Sequence, residues 1–381
     1  MTTPISFTID IPDATLDRIR QRVADYDWHE MPSDGGWGYG ANLDYMRELC
    51  AYWVEAYDWR AHEAAMNAWP HFIAQINSLD IHFIHERGSG PNPVPLIISH
   101  GWPGSVWEFQ QIIGPLAHPE RHGGNAADAF DVIAPSLPGY GFSSKPDRPI
   151  GPRKTAAYFA ALMNQVLGYD GYMAQGGDWG SVITSWLGFD HTPACQAIHL
   201  NMNGLRPGGA RPETDAEVAW AKQSREIFSV EGGYFRMQST KPQTLSYALM
   251  DSPVGIAAWI VEKFHGWSDI DGDDLQSVYS MDQLLTNVMI YLVTRSFNTS
   301  TWMYYGYTRE SNALPAGERV EVPVGIAQFP KDLIFWPPRS YAEKAYNVTR
   351  WTEMRHGGHF AAMEKPDLLV NDIRDFARGL R

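Results

Sequence analysis

The feature that most constrains this chain is a short glycine-rich run around one acid, Gly-Gly-Asp-Trp-Gly at 176–180. The apolar stretch 172–175 precedes it and is typical of a strand end, while 182–187 follows as the start of a buried helix. A strand, a sharp turn and a helix form the frame of a nucleophile elbow, whose usual pattern is Gly-x-Ser-x-Gly. The glycines are needed because the central residue is held in a strained backbone conformation between neighbours that must lack bulk.

The central position of this run is Asp178, where the usual elbow has a serine. A carboxylate displayed at that point can attack a carbon electrophile and form an ester. An aspartate between glycines is also a common turn residue or helix N-cap, so the motif alone leaves both interpretations open. The remainder of the sequence must decide between them.

Composition and charge exclude several classes of protein. The 381 residues are 44% hydrophobic, and the formal net charge of −14 argues against nucleic acid or an anionic membrane as a partner. Cys50 and Cys195 are far apart, which suggests neither a disulfide framework nor a thiolate metal site. The sequence has no signal-peptide pattern and no run near the roughly 18 apolar residues that span a bilayer, so we expect a soluble, cytoplasmic protein.

The order of predicted elements indicates an α/β fold. Short strands at 96–99, 130–135 and 196–202 alternate with helices, which predicts a mostly parallel central sheet flanked by helices. This alternation stops between about 204 and 318, where helical patterns dominate, and it returns with a strand at 322–329. We expect the helical insertion to cover the carboxyl edge of the sheet, where open α/β sheets bind ligands.

The leading segment contains a helix that opens near Pro12, with Asp or Thr side chains as caps, and a helical stretch at 43–67. Alternating residues at 72–85 then predict strands or a hairpin. We therefore expect four segments. They are a leading segment (1–93), the first part of the core (94–203), a helical lid (204–318) and the second part of the core (319–381).

An ester on Asp178 would have to be hydrolysed, which requires a base, an acid that orients it and donors for the oxyanion. The base candidate is His359, which follows two glycines in the loop after the last strand, with His356 as the competitor. The orienting acid is Asp332, just past the strand that follows the lid, with Glu353 as the fallback. This order of nucleophile, acid and histidine is the order in α/β-hydrolases.

The oxyanion donors are expected to be backbone N–H groups. One belongs to Trp179, directly after the nucleophile, and the other to Trp102 in the loop 100–105 that follows an early strand. The sequence of that loop, His-Gly-Trp-Pro-Gly-Ser, would also suit an ordinary glycine–proline turn.

Taken together, these motifs resemble the microsomal-type epoxide hydrolases of the α/β-hydrolase superfamily over nearly the whole chain. The runs 100–105, 176–180 and 357–360 are similar to core motifs of that family. Tyr-Asp-Trp-Arg at 57–60 and Ile-His-Phe-Ile-His at 81–85 are similar to its N-terminal domain. The resemblance implies an α/β-hydrolase fold with a helical lid and an N-terminal wrapping segment.

The resemblance further implies an enzyme that converts a small-molecule epoxide and water to a vicinal diol through a covalent ester on Asp178. It implies no cofactor and no metal. The family holds the epoxide oxygen with two lid tyrosines, which match Tyr234 and Tyr304 here, although Tyr305 and Tyr307 leave the register of the second open. A phenol suits this role because its pKa of about 10 keeps it protonated and able to donate.

Two other functions fit parts of the pattern. A haloalkane dehalogenase also uses an aspartate nucleophile, and Trp179 could hold its halide, but the tyrosine pair and the leading segment favour an epoxide. A non-catalytic α/β-hydrolase-fold protein that binds small molecules is the second, and an intact nucleophile, acid and base argue against it. The family's membrane-bound members carry an N-terminal anchor, which we do not expect here, and a homodimer is possible.

Overall fold

The computed structural model describes residues 3–380. Eleven strands occur in this part of the chain. They are β1 (Ile5–Phe7), β2 (His71–Ile76), β3 (Leu79–Glu86), β4 (Val94–Ser99), β5 (Phe130–Pro135), β6 (Tyr172–Gly176), β7 (Cys195–Leu200), β8 (Arg206–Gly208), β9 (Ala313–Ala316), β10 (Val320–Gln328) and β11 (Tyr346–Glu353).

Sixteen α-helices accompany these strands in the described residues. They are α1 (Asp13–Ala24), α2 (Leu43–Glu55), α3 (Trp59–Met66), α4 (Ile113–Ala117), α5 (Pro152–Ala161), α6 (Trp179–Asp190), α7 (Asp215–Glu231), α8 (Gly233–Thr240), α9 (Pro242–Leu249), α10 (Pro253–Trp267), α11 (Met281–Val293), α12 (Phe297–Ser300), α13 (Trp302–Tyr307), α14 (Arg339–Ala342), α15 (Ala361–Glu364) and α16 (Pro366–Arg378).

Nine of the strands form one sheet in the order β1-β2-β3-β5-β4-β6-β7-β10-β11. All pairs from β5 to β11 are parallel, whereas β1, β2 and β3 join the edge in antiparallel pairs. Helices cover both faces because neighbouring strand residues point to opposite sides, so Ile97 and Ile98 belong to two separate apolar clusters. The expected mostly parallel sheet with flanking helices is confirmed.

The leading segment is continuous with this sheet, since β3 pairs with β5 through the register Phe83–Pro135. Its first helix begins after Pro12, which makes no side-chain capping bond, so the expected Asp or Thr cap was wrong. The helical stretch expected at 43–67 is two helices, because the Asp58 side chain accepts from the Arg60 N–H and starts a new one. The pair β2–β3 forms the expected hairpin.

The segment between β7 and β10 holds seven helices, α7 to α13, as the sequence pattern indicated. It also contains the short parallel pair β8–β9, which we did not expect. These two strands have three and four residues and each contains a proline, so they carry no period-two signal. The pair brings the beginning and the end of this segment together beside the core.

Among the described residues, no single helix combines the length and apolarity needed to cross a membrane. Only α9 and α10 taken together reach that length and composition, and they meet at a bend of 120°.

Candidate active site

The structure places a sharp turn between β6 and α6, as the elbow motif predicted. Asp178 has φ 47° and ψ −128°, a strained conformation for a residue that is not glycine. The flanking glycines are needed for close packing, because a Cβ on Gly180 would lie 1.8 Å from the Ser99 carbonyl oxygen. A Cβ on Gly176 would lie 2.2 Å from the Gly180 carbonyl oxygen. The turn therefore holds the carboxylate of Asp178 at the carboxyl edge of the sheet.

The loop after β4 meets this carboxylate directly. The Trp102 N–H donates to Asp178 Oδ1 over 2.7 Å. This approach requires a glycine before Trp102, since a Cβ on Gly101 would lie 2.1 Å from the same oxygen. Trp179 is the first residue of α6, where backbone N–H groups have no partner within the helix. Both expected oxyanion donors thus lie at the nucleophile elbow.

His359 bridges the two acids that the sequence singled out. Its Nδ1 lies 2.9 Å from Asp332 Oδ1, and its Nε2 lies 3.3 Å from Asp178 Oδ2. The loop after β11 carries His359, and the loop after β10 carries Asp332, whose side chain is 2% exposed. Asp332 Oδ1 also accepts a hydrogen bond from the Ile334 N–H over 3.0 Å, and this second bond fixes the carboxylate. The two competing residues, His356 and Glu353, are exposed.

The charge state of His359 depends on the nucleophile. Burial alone would lower the pKa of His359, but the Asp332 and Asp178 carboxylates raise it well above its ordinary value. The imidazole is therefore held as a cation while Asp178 is ionised. Loss of the charge on Asp178 would remove one of the two anions that raise the pKa of His359.

Glu364 holds the histidine loop, a role that the sequence analysis did not anticipate. It accepts hydrogen bonds from the backbone N–H groups of Gly358, Phe360 and Asp269, each over 2.8 Å. Burial raises the pKa of Glu364 to about 7 although these three donors oppose the shift. The only sequence signal was an acid four residues after Phe360, which resembles an ordinary solvated helix charge.

Further hydrogen bonds tie the same loop to the end of α10. The His359 N–H donates to the Trp267 carbonyl oxygen over 2.9 Å. The Gly357 N–H donates to Asp269 Oδ2 over 2.8 Å. These contacts join the base to the segment between β7 and β10, so the position of the helices above the sheet and the position of His359 are linked.

Two tyrosines from those helices lie beside the carboxylate. The ring centroids of Tyr234 in α8 and Tyr304 in α13 are 5.8 Å apart. Tyr234 stacks on Trp102 at 5.2 Å, and Tyr304 meets Trp179 edge-on at 4.7 Å. Burial raises the pKa of each phenol well above its ordinary value, and the charge of Asp178 adds to the rise. Both hydroxyls therefore stay protonated and available as donors.

The neighbouring tyrosines occupy different surroundings. The Arg309 guanidinium lies over the ring of Tyr305, 3.2 Å from its centroid. Tyr307 contacts Trp179 at 5.1 Å but is only partly buried. Tyr304 is fully buried and has ring contacts with Tyr234 as well as with both tryptophans of the elbow region. The packing therefore favours Tyr304 over its two neighbours as the partner of Tyr234.

Two models of known protein families match this chain. Residues 4–109 match the model described as epoxide hydrolase N terminus, and residues 94–227 match the model described as alpha/beta hydrolase fold. Epoxide hydrolase 1 of Sus scrofa is 34% identical over 97% of this chain and 87% of its own length. A protein of Stigmatella aurantiaca that is provisionally named an epoxide hydrolase is 40% identical over 98% of this chain and 85% of its own length.

Solved structures give the same result for the fold. The Aspergillus niger epoxide hydrolase superposes with a TM-score of 0.85 and 30% identity, covering 100% of this chain and 97% of the other. The juvenile hormone epoxide hydrolase of the silkworm Bombyx mori superposes with a TM-score of 0.88 and 29% identity, covering 100% and 96%. The chain thus has the α/β-hydrolase fold with the leading segment and the helical segment included.

Proposed function

Because this chain belongs to the epoxide hydrolase family, we propose that Asp178 is the nucleophile of a two-step hydrolysis. The enzyme converts an epoxide and water to a vicinal diol through an aspartyl ester, the chemistry of its family.

In the first step, Asp178 Oδ2 attacks an epoxide carbon, and the bond from that carbon to the ring oxygen breaks. Tyr234 and Tyr304 donate hydrogen bonds to this oxygen as negative charge develops on it, and one of them supplies the proton. The proton that His359 gives up once Asp178 is an ester restores that tyrosine, which leaves His359 neutral for the second step. Donors that are already in place give the largest stabilisation, because nothing has to reorganise as the charge appears. The product of this step is a hydroxyalkyl ester on Asp178.

In the second step, His359 takes a proton from water while the water oxygen bonds to the ester carbon. Asp332 orients the imidazole and stabilises the cation that forms. The backbone N–H groups of Trp102 and Trp179 stabilise the oxyanion of the tetrahedral intermediate. The bond to the alkyl oxygen then breaks, and the leaving alkoxide takes a proton from the imidazolium to complete the diol. The carboxylic acid formed on Asp178 passes its proton to the neutral His359, so Asp178 is restored as a carboxylate beside the His359 cation.

One observation carries this proposal above the others. His359 lies between Asp178 and Asp332, at 3.3 Å and 2.9 Å, while the two buried phenols lie beside the same carboxylate. Each group that the two steps require is therefore within reach of one carbon electrophile bound between the elbow and the tyrosines.

The experiment that tests the proposal uses the variant His359→Gln and intact-protein mass. The variant is mixed separately with styrene oxide, 1,2-epoxyoctane and 1-bromobutane, and the exposed His356→Gln serves as the matched control. We expect His359→Gln to gain the mass of a whole epoxide at Asp178, while His356→Gln turns the epoxides over. A gain of the butyl group from the bromide without an epoxide adduct would instead indicate dehalogenation.

For the substrate class we propose an epoxide with an apolar or aromatic substituent. The rings of Trp102, Trp267 and Phe235 surround the two tyrosines, and such surfaces favour apolar groups. Relatives from Ctenocephalides felis and Bombyx mori are named juvenile hormone epoxide hydrolases. The cytoplasmic location, the homodimer and the four segment boundaries stay predictions from the sequence.

A further inference from the structure

A small cavity borders the side chains of Asp178 and His359. Its volume is about 20 Å³, which is enough for a single water molecule. Neither Tyr234 nor Tyr304 lines it, so it is separate from the place where the epoxide oxygen would be held. Five further polar side chains line its wall, those of Ser99, His100, Glu108, Gln175 and Asn201.

Gln175 presents a buried acceptor at this cavity. Its Nε2 donates to Asn201 Oδ1 over 2.8 Å, which fixes the orientation of the amide. Its Oε1 is left buried and has no protein partner in the described part of the chain, and the residue is 1% exposed. A buried oxygen without a hydrogen bond costs about 1–3 kcal/mol, so the site favours a small donor, and water is the donor of this size.

Glu108 is held at the cavity by the loop that carries Trp102. Its carboxyl occupies the space above Gly104, since a Cβ on Gly104 would lie 1.4 Å from Glu108 Oε1. The Gly101 N–H also donates a hydrogen bond to this carboxyl. Burial raises the pKa of Glu108 to about 8, His359 opposes this rise and the charge of Asp178 adds to it. Glu108 therefore faces both reacting residues from a fixed position.

We propose that this cavity binds the water that hydrolyses the ester, and that Glu108 and Gln175 are the residues that position it. This inference rests on the proposed function of Asp178 and His359. The water donates one hydrogen to His359 Nε2 and the other to Gln175 Oε1, which leaves a lone pair for the ester carbon. The Glu108 carboxyl is the third polar group that contacts this water.

From this position the water can hydrolyse the ester. The water oxygen forms a bond to the ester carbon of Asp178 as His359 Nε2 takes the proton. The bond from that carbon to the alkyl oxygen then breaks, and the leaving alkoxide takes a proton from the imidazolium. A water held by two acceptors before the reaction loses less entropy in the transition state, so the rate of this step depends on both side chains.

The test separates ester formation from ester hydrolysis by single-turnover kinetics with rapid-quench mass spectrometry on styrene oxide. The variants are Glu108→Gln, Gln175→Met and Gly104→Ala, in which the added Cβ displaces the carboxyl of an intact Glu108. Exposed Glu353→Gln makes the same chemical change as Glu108→Gln away from the site and is the matched control. Thermal unfolding of every variant is recorded alongside.

We expect ester formation to stay within about twofold of the wild type in the three variants and hydrolysis to slow by about 10- to 100-fold. The ester then accumulates, whereas Glu353→Gln matches the wild type. Hydrolysis at the wild-type rate, or equal slowing of both steps, would overturn the inference. If His359→Gln forms no ester, the proposed function itself fails. That result differs from failure of the water site, in which the ester still forms.

Discussion

The two halves of the site are held in place by different forces. In the core half, Asp178, Asp332 and His359 follow strands of one sheet and are fixed by hydrogen bonds of 2.7 and 2.9 Å and an ion pair of 3.3 Å. In the lid half, Tyr234 and Tyr304 sit on helices 70 residues apart and are placed by packing between aromatic rings. The core half is thus specified by local motifs, and the lid half by contacts between distant segments.

This difference also divides the chemistry. In the proposed mechanism, the lid tyrosines act on the oxygen that leaves during ring opening, whereas Asp332, His359 and the backbone donors act on the ester. Asp178 serves both steps because it is first a nucleophile and then an acyl group. Variants in the two halves should therefore slow different steps.

The largest effect is expected from Asp178→Ala, which removes the group shared by both halves. Diol formation should fall by about 10⁴-fold or more, because neither step can start without the carboxylate. Steady-state assay of the diol measures this, with circular dichroism to confirm the fold. Activity within tenfold of the wild type would mean that water attacks the epoxide directly.

The second prediction concerns Asp332→Asn, which alters the core half alone. Ester hydrolysis should slow by about 10³-fold, since the imidazole loses the carboxylate that orients it and stabilises its cation. Ester formation should change by less than about tenfold, so the ester accumulates in rapid-quench mass spectra. The division between halves would be wrong if ring opening slowed as much as hydrolysis.

The third prediction concerns the lid half and settles the register of the second tyrosine. Tyr234→Phe and Tyr304→Phe should each slow ester formation by about 10- to 100-fold, because a donor to the developing alkoxide is lost. Hydrolysis of ester already formed should be unaffected. Tyr305→Phe and Tyr307→Phe are the matched controls, and a larger effect from either one would move the assignment away from Tyr304.

The fourth prediction tests the link between the halves through Glu364. Glu364→Gln should lower the free energy of unfolding by about 1–3 kcal/mol, because an amide cannot accept all three backbone N–H groups that the carboxylate accepts. Urea unfolding measures this change at pH 8, where the carboxyl is ionised. A variant as stable as the wild type would show that this contact is not needed to hold the histidine loop.

The smallest effect is expected from two buried histidines outside both halves, His82 and His100. Burial lowers the pKa of His100 to about 4, and it lowers the pKa of His82 well below its ordinary value. As pH falls below about 6.5, these histidines bind protons in the unfolded chain but not in the folded protein, so their contribution to stability falls. Between pH 7 and pH 5.5 the loss from His100 is about 1 kcal/mol. Glu108 and Glu364 act in the opposite direction because their pKa values are raised, so the measurement compares the urea midpoints of the wild type and His100→Asn over this range. The same pH dependence in both proteins would contradict the prediction.

Much of the core half could be predicted because each motif is short and its geometry is local. The elbow, the Gly-Gly-His loop and an acid after the preceding strand all lie within a few residues of the chemistry that they serve. The expectation of Asp332 over Glu353 agrees with the geometry, since Glu353 is exposed at the end of β11. These residues follow strand ends, which a hydrophobic pattern locates well.

The lid half and the supporting residues were harder to predict. Four tyrosine positions fit the two roles, and only the ring contacts of Tyr304 distinguish it. Glu108, Gln175 and Glu364 went unnoticed because a polar residue in a strand or a short helix resembles a solvated one until its burial is known. Burial of this kind is set by tertiary packing, which a local pattern does not contain.

The most direct test of the central claim is a single turnover in H₂¹⁸O with wild-type enzyme in excess over styrene oxide. If Asp178 forms an ester that water attacks at the carbonyl carbon, the first diol carries no ¹⁸O and the peptide containing Asp178 gains 2 Da. If water instead attacks the epoxide directly, the diol carries the label and Asp178 stays unlabelled. We predict the first result, and the second would contradict an ester on Asp178.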